Sequence, residues 1–230
     1  MMHVTSTKSL RKAEGTRFLR LGPEDASAVL ALYSKVYARA PNGHLARRGA
    51  TAIRRLLSDG SAGLGIGAWS ESDERLKAYS LCKKAEGPTY PGAPILAGLG
   101  TDLWVGHGTV VDQTHEGRFL MARLLTARTA ALKSIGAIHS AGLIAIENTA
   151  SLAAALRAGG RIVGLEHDDN CLNFVCYGGP LVSGGTFGGE IEVIPNDAAR
   201  IEQLIESRYI GTALRRKKSG ERMIAMERLA

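Results

Sequence analysis

The chain has 230 residues, 45% of them hydrophobic and 22% charged, with a formal net charge of +7. That length and apolar content suit one large core, or one core with an appendage, and exclude wholesale disorder. No apolar run approaches the roughly 20 residues of a membrane-spanning helix. The polar, basic start from Met1 to Gly15 lacks the apolar heart of a secretory signal, so a cytoplasmic protein without a membrane partner is expected.

The positive balance favours an anionic partner such as a phosphorylated cofactor, a nucleic acid or an acidic substrate. Much of it sits in Lys8, Arg11 and Lys12 and in Arg215, Arg216, Lys217 and Lys218. Clusters near the two ends read as solvated tails before they read as a nucleic-acid surface. Cys82, Cys171 and Cys176 make no CxxC pair and no disulfide framework. They are expected to be small, mostly buried residues, and no metal site is expected.

Residues 1–15 are expected to be a mobile N-terminal segment. Thr16–Leu21 reads as a first strand. Gly22-Pro23-Glu24-Asp25 then starts a helix, with proline early and acids in the first turn. Residues 48–58 read as a second helix. Gly63–Trp69 and Leu76–Lys83 form a predicted hairpin across a polar turn. Residues 85–101 hold three prolines and are expected to be a long loop without regular structure, of the kind that forms lids and binding walls.

Asp102–Asp112 is the next predicted strand. It feeds a polar turn with a single glycine, Gly117, and then a helix over 118–133 with Leu120, Leu124, Ala127 and Ala131 on one stripe. A strand that turns directly into a helix start presents unpaired amides and the positive end of the helix dipole, a ready site for phosphate. Further on come a strand at 140–146, a helix from Glu147 to Arg157, and a hairpin of Arg161–Glu166 with Leu172–Tyr177. The order through residue 177 is β-α-α-β-β-β-α-β-α-β-β, which predicts an α/β fold with a mixed central sheet. Residues 179–189 are glycine-rich and linker-like. Residues 190–230 read as a β-α-β-β extension, either docked on the main sheet or used for self-association, as in a homodimer.

That order resembles the GCN5-related N-acetyltransferase (GNAT) superfamily when taken with two segments. The first, Val110-Val111-Asp112-Gln113-Thr114-His115-Glu116-Gly117-Arg118-Phe119-Leu120-Met121-Ala122-Arg123-Leu124-Leu125, is similar to the family's cofactor motif: a strand ending in valine, a glycine loop, and a helix with a Leu-Leu pair. The second, running from Asn148 through Ser151 to Gly159, Gly160 and Gly164, is similar to the segment that follows the family's fifth strand. The resemblance covers residues 16–178.

It implies an acyl-coenzyme A cofactor, acetyl-CoA or another acyl-CoA. The amides of Gly117, Arg118, Phe119, Leu120 and Met121 would hold the pyrophosphate. The edge at Val110 and Val111 would pair with the pantetheine like an added strand. Asn148 and Ser151 would line its channel, and Arg118 or Arg123 would steady the phosphates. The implied reaction is acyl transfer to an amine of a small molecule or a peptide, with residues 41–58 and 85–101 as the acceptor's walls. The chain departs from the family pattern at Glu116, Phe119, Met121 and Gly160. Ala155 stands where many members carry a tyrosine that protonates the departing thiolate.

Acyl transfer to an amine needs a base for the amine and a proton for the thiolate. His107 is the candidate base, because an unperturbed imidazole titrates near neutrality. Tyr79 and Tyr90 are candidates for the missing acid, and Glu147 is a further carboxylate near the site. Two other functions fit the same sequence: a non-catalytic acyl-CoA sensor, motivated by Ala155, and a basic RNA-binding module, motivated by the +7 charge.

Overall fold

The computed structural model describes residues 15–39, 49–60, 62–87, 89–115, 119–167, 171–180 and 188–229. The N-terminal strand β1 (Thr16–Arg20) leads through a short 3-10 turn, Pro23–Asp25, into α1 (Ala26–Tyr37); α2 (Ala50–Ser58) follows. The hairpin β2 (Gly63–Ser70) and β3 (Leu76–Lys84) precedes β4 (Leu103–Val111), α3 (Leu120–Ser134), β5 (His139–Ala145) and α4 (Thr149–Arg157). Then come β6 (Arg161–His167), β7 (Leu172–Gly178), β8 (Gly188–Val193), α5 (Ala198–Glu206), β9 (Tyr209–Arg216) and β10 (Arg222–Arg228).

The ten strands of the described residues form one sheet in the order β1-β2-β3-β4-β5-β7-β6-β9-β10-β8. β4 and β5 run parallel, and every other neighbouring pair is antiparallel. Side chains alternate between the two faces of a strand, and the core divides accordingly. On one face α3 packs over Ile66, Ala68 and Ala78, and α4 and α5 pack over Ile162, Phe174 and Cys176. On the other face α1 and α2 cover Tyr79, Leu81 and Val110.

Among the described residues no helix lies over the centre of that second face. Residues 85–102 cover it instead, with Tyr90, Ala93 and Leu96 seated on Val163, Val175 and Tyr177. This segment is not wholly irregular. It carries 3-10 turns at Pro94–Leu96 and Gly100–Asp102, because Pro94 presets a turn and Gly100 takes a left-handed φ of 48°. Backbone lies on backbone here: a Cβ at Gly164 would sit 2.2 Å from the Gly92 carbonyl oxygen.

The tail joins the sheet. β9 meets β6 at Ile162–Gly211, and Val193, Ile201, Leu204, Ile224 and Met226 share one core cluster with Leu152 and Phe174. Asp197 caps α5, its side chain accepting from the Arg200 amide at 3.2 Å. Among the described residues no helix is long and apolar enough to cross a membrane.

Candidate active site

The sheet splits beside β4. β4 and β5 pair only where Leu103, Trp104 and Val105 face His139, Ser140 and Ala141. Beyond Gly106 the two strands diverge. The cause is local to β4. Opposite β3, Ser80 pairs with Thr109 and Cys82 with Gly106, so β4 carries one residue more than β3 between those points. That is a β-bulge at His107–Gly108, and Gly108 supports it with a φ of 105° that a side-chain-bearing residue resists. A bulge bends its strand and sharpens its twist, which turns β4 away from β5.

A cleft of about 650 Å³ opens at the C-terminal ends of the split strands, between Val110–Val111, the start of α3 and the face of α4. An inner cavity of about 420 Å³ lies within the split itself. Thr109, Met121, Asn148 and Ser151 line both.

At the mouth, α3 begins abruptly. Its first intrahelical bond runs from the Arg123 amide to the Phe119 carbonyl, 3.1 Å. The amides of Leu120, Met121 and Ala122 precede that bond and have no partner within the helix. Phe119 takes a left-handed conformation, φ 57°, where glycine is the easy choice. It is 60% exposed, with the Arg157 guanidinium 4.8 Å from its ring centroid. Asn148 caps α4, its side-chain oxygen accepting from the Ser151 amide at 3.1 Å. Capping and lining the cleft are thus both functions of Asn148.

Among the described residues, Arg39, Arg157, Arg215, Arg216 and Arg222 line the outer cleft and no carboxylate does. Arg39 donates to Gln113 Oε1 at 3.0 Å, and Arg216 Nε donates to the Gly220 carbonyl at 3.3 Å. Arg215 is held from behind by Glu190. Three of the five come from the β9–β10 hairpin, so the extension supplies much of the rim's charge.

The split gathers several residues named from sequence. Val110, Val111, Phe119, Leu120, Met121, Asn148 and Ser151 line the outer cleft, and His107 and Tyr90 line the inner cavity. Gly117 and Arg118, with Glu116, lie outside the described residues. Tyr79 does not reach the site. It is 2% exposed in the core beneath α1 and α2, because its strand position points it to that face, and it lines neither space. Arg123 lies over the Phe18 ring at 5.1 Å, away from both spaces. Glu147 is exposed beside the cap of α4. Of the two expected walls, the 85–101 segment contributes Thr89 and Tyr90; of 41–58, residues 49–58 contribute none and 41–48 lie outside the described residues. Ala155 lines the inner cavity and leaves room where a larger side chain would project.

Burial pushes the Tyr90 hydroxyl well above its ordinary value, with the nearby positive charge of Arg128 acting the other way. Burial also pushes the Cys176 thiol up to about 12. Both hold their protons at neutral pH. Tyr177, also on the cavity wall, donates its hydroxyl to the Pro180 carbonyl at 2.9 Å, which leaves its oxygen to accept from His139 Nδ1 at 2.7 Å.

Arg128, Cys176 and Tyr177 were not foreseen as site residues. Arg128 had a usable signal: it stands four residues after Leu124 and four before Leu132, a charge on the apolar stripe of α3. Arg215 and Arg216 belong to the basic cluster expected to be a solvated tail; they stand instead on the cleft rim, because the sheet order, which no local pattern reveals, brings β9 and β10 across it.

The sequence matches no protein-family model and no curated protein. Solved structures share the fold. One is an acetyltransferase of the GNAT family from Streptococcus pneumoniae, with a TM-score of 0.56 at 11% identity over 71% of this chain and 98% of that one. A second is the ribosomal-protein-S5-alanine acetyltransferase from Vibrio fischeri, TM-score 0.56 at 9% identity over 72% and 93%. A third is NAA60 from Arabidopsis thaliana in complex with acetyl-CoA, TM-score 0.55 at 11% identity over 71% and 97%. The shared part is the fold, and about a quarter of this chain lies beyond it.

Proposed function

We propose that this chain, which has the fold of the GNAT acetyltransferases, is an acyl-CoA-dependent N-acyltransferase acting on an amine of a small molecule or peptide. The observation that carries the reading is the split between β4 and β5, opened by the Gly108 bulge and facing the start of α3. An unpaired strand edge beside a helix start suits a ligand with an amide-bearing arm and a phosphate head.

The residues present fit such a cofactor. The first-turn amides of α3 and the arginine rim suit its phosphates. The open edge of β4 from Gly106 to Val111 suits the pantetheine amides. Met121, Asn148 and Ser151 line the passage between the outer cleft and the inner cavity. Bound there, the cofactor would supply an activated thioester acyl group.

The chain's own groups supply the rest. His107, on the bulge, takes the proton that the attacking amine must lose. Tyr90 keeps its proton at neutral pH and serves as the donor to the departing sulfur, the duty for which Ala155 is unsuited. Calorimetry with acetyl-CoA tests the cofactor, with micromolar binding expected. Release of free thiol on addition of a panel of amines tests the reaction. Absence of acetyl-CoA binding below millimolar concentration would overturn the reading.

Ala155 favours one second reading, a domain that binds acyl-CoA without turning it over. Binding without thiol release across the amine panel would select it.

A further inference from the structure

We propose that Arg128 is a recognition point for a substrate carboxylate inside the β4–β5 split. The inference rests on the acyltransferase reading for its choice of ligands but has its own observations.

Arg128 reaches from the apolar stripe of α3 to the wall of the inner cavity. It lies beside Gly106 of β4, where a Cβ would stand 3.8 Å from Arg128 Nη1, in ordinary contact. Nη1 donates to Ser80 Oγ at 3.1 Å, and Ser80 Oγ shares a hydrogen bond with Thr109 Oγ1 at 2.8 Å. Nε is sealed from solvent and has no hydrogen-bond partner among the described residues. Among the described residues no carboxylate pairs with the guanidinium. Its ionisable neighbours are Cys82 and Tyr90. Burial holds the Cys82 thiol up at about 11, against the lowering effect of Arg128, and keeps Tyr90 neutral as well.

A guanidinium does not shed its proton in proteins. Arg128 is half-buried on the cavity wall, and a partly desolvated charge with no carboxylate partner gives up hydration without compensation. An apolar side chain of similar size would fill the space at lower cost. The arrangement becomes favourable when an anion enters the cavity, and a planar fork matches a carboxylate. The cavity of about 420 Å³ has room for one. Two sources share that chemistry: the free end of a dicarboxylic acyl group on the donor, or the carboxylate of an amino-acid acceptor.

The test is binding by calorimetry to the full chain, wild type and Arg128→Gln. The probes are acetyl-CoA, succinyl-CoA, free amino acids and the corresponding amino-acid amides. If the acyl group carries the carboxylate, succinyl-CoA binds at least ten-fold tighter than acetyl-CoA, and Arg128→Gln abolishes the difference. If the acceptor carries it, amino acids bind at least ten-fold tighter than their amides, again only with Arg128. Either pattern supports the proposal, and the wild-type comparisons need no variant to fold. CoA binding with no carboxylate preference in either arm overturns it and leaves the acyltransferase reading standing. Arginine-dependent amino-acid binding without CoA binding does the reverse, and no binding at all sinks both. Arg128→Met provides a second readout. Its ligand-free Tm is expected to rise, because an uncompensated charge is removed; a fall of several degrees would assign Arg128 to structural support.

Discussion

At the scale of single residues, Phe119 and Asp112 show how the mouth of the cleft is held. A left-handed conformation costs a side-chain-bearing residue about 1–2 kcal/mol, and Phe119 takes one at the start of α3. Its contact with Arg157 offsets part of that. The balance is accessible by comparing Phe119→Gly with Phe119→Ala, which both lose the ring. Glycine usually costs about 0.5–1 kcal/mol relative to alanine, yet here it is expected to be the more stable variant by about 0.5–1 kcal/mol in urea unfolding. Asp112 ties the end of β4 to α1 through Lys35 at 2.7 Å. Partial burial pushes its carboxyl up, but Lys35 and the Thr114 amide and hydroxyl outweigh that and leave it below its ordinary value. A lowered carboxylate stabilises the fold above its unfolded value near 4 and loses that contribution as pH falls through the lower folded value. Between about pH 6 and about pH 3 the wild type should therefore lose more stability than Asp112→Asn, by up to about 1 kcal/mol. For His107 the readout is kinetic. His107→Ala is expected to lower kcat by about 10²–10⁴-fold and to erase the acidic limb of the pH profile; an unchanged limb would exclude it as the base.

At the scale of elements, the segment over the sheet centre does a helix's work without being one. Its seat depends on backbone contact at Gly92 and Gly164. Gly164→Ala would put a Cβ 2.6 Å from the Ala93 Cβ as well. Overpacking of this kind costs about 1–3 kcal/mol, and limited proteolysis should then cut near Tyr90 faster than in the wild type. Periodicity could not foretell this seat. Three prolines and several glycines say only that regular structure is broken, and which face the segment covers depends on strands far away in sequence. Elements with strong local signals were legible. The Leu120–Leu124 stripe, the glycine stops and the hairpin turns marked helices and strands to within a few residues. Tyr79 shows the limit at the site. Its strand was readable, but which face of that strand meets the split depends on the bulge register between β3 and β4. Asn148 and Ser151 came from the family resemblance, and one helix cap brings both to the cleft, whereas Arg215, Arg216 and Arg222 come from β9 and β10, whose sheet neighbours no local pattern reveals.

At the scale of the whole molecule, the C-terminal extension is part of the core rather than a passenger. Val193, Ile201, Leu204, Ile224 and Met226 are all under 5% exposed and pack with α4. A chain ending at residue 180 would uncover that face of α4 and the outer edge of β6. It is expected to be recovered as aggregate, whereas an independent appendage would leave a folded remainder with a sharp unfolding transition. The three-residue pairing of β4 with β5 has a wider consequence. Within the sheet it is the sole seam between strands β1–β4 and strands β5–β10 among the described residues. The molecule is in this respect a pair of leaves on a short seam, bridged elsewhere by α3 resting on α4 and by the 85–102 segment seated on β6 and β7. A ligand that occupies the split would act as the missing length of binding along the spine. Hydrogen exchange should then slow on saturation with acetyl-CoA in the amides of both leaves, including strands that never touch the ligand.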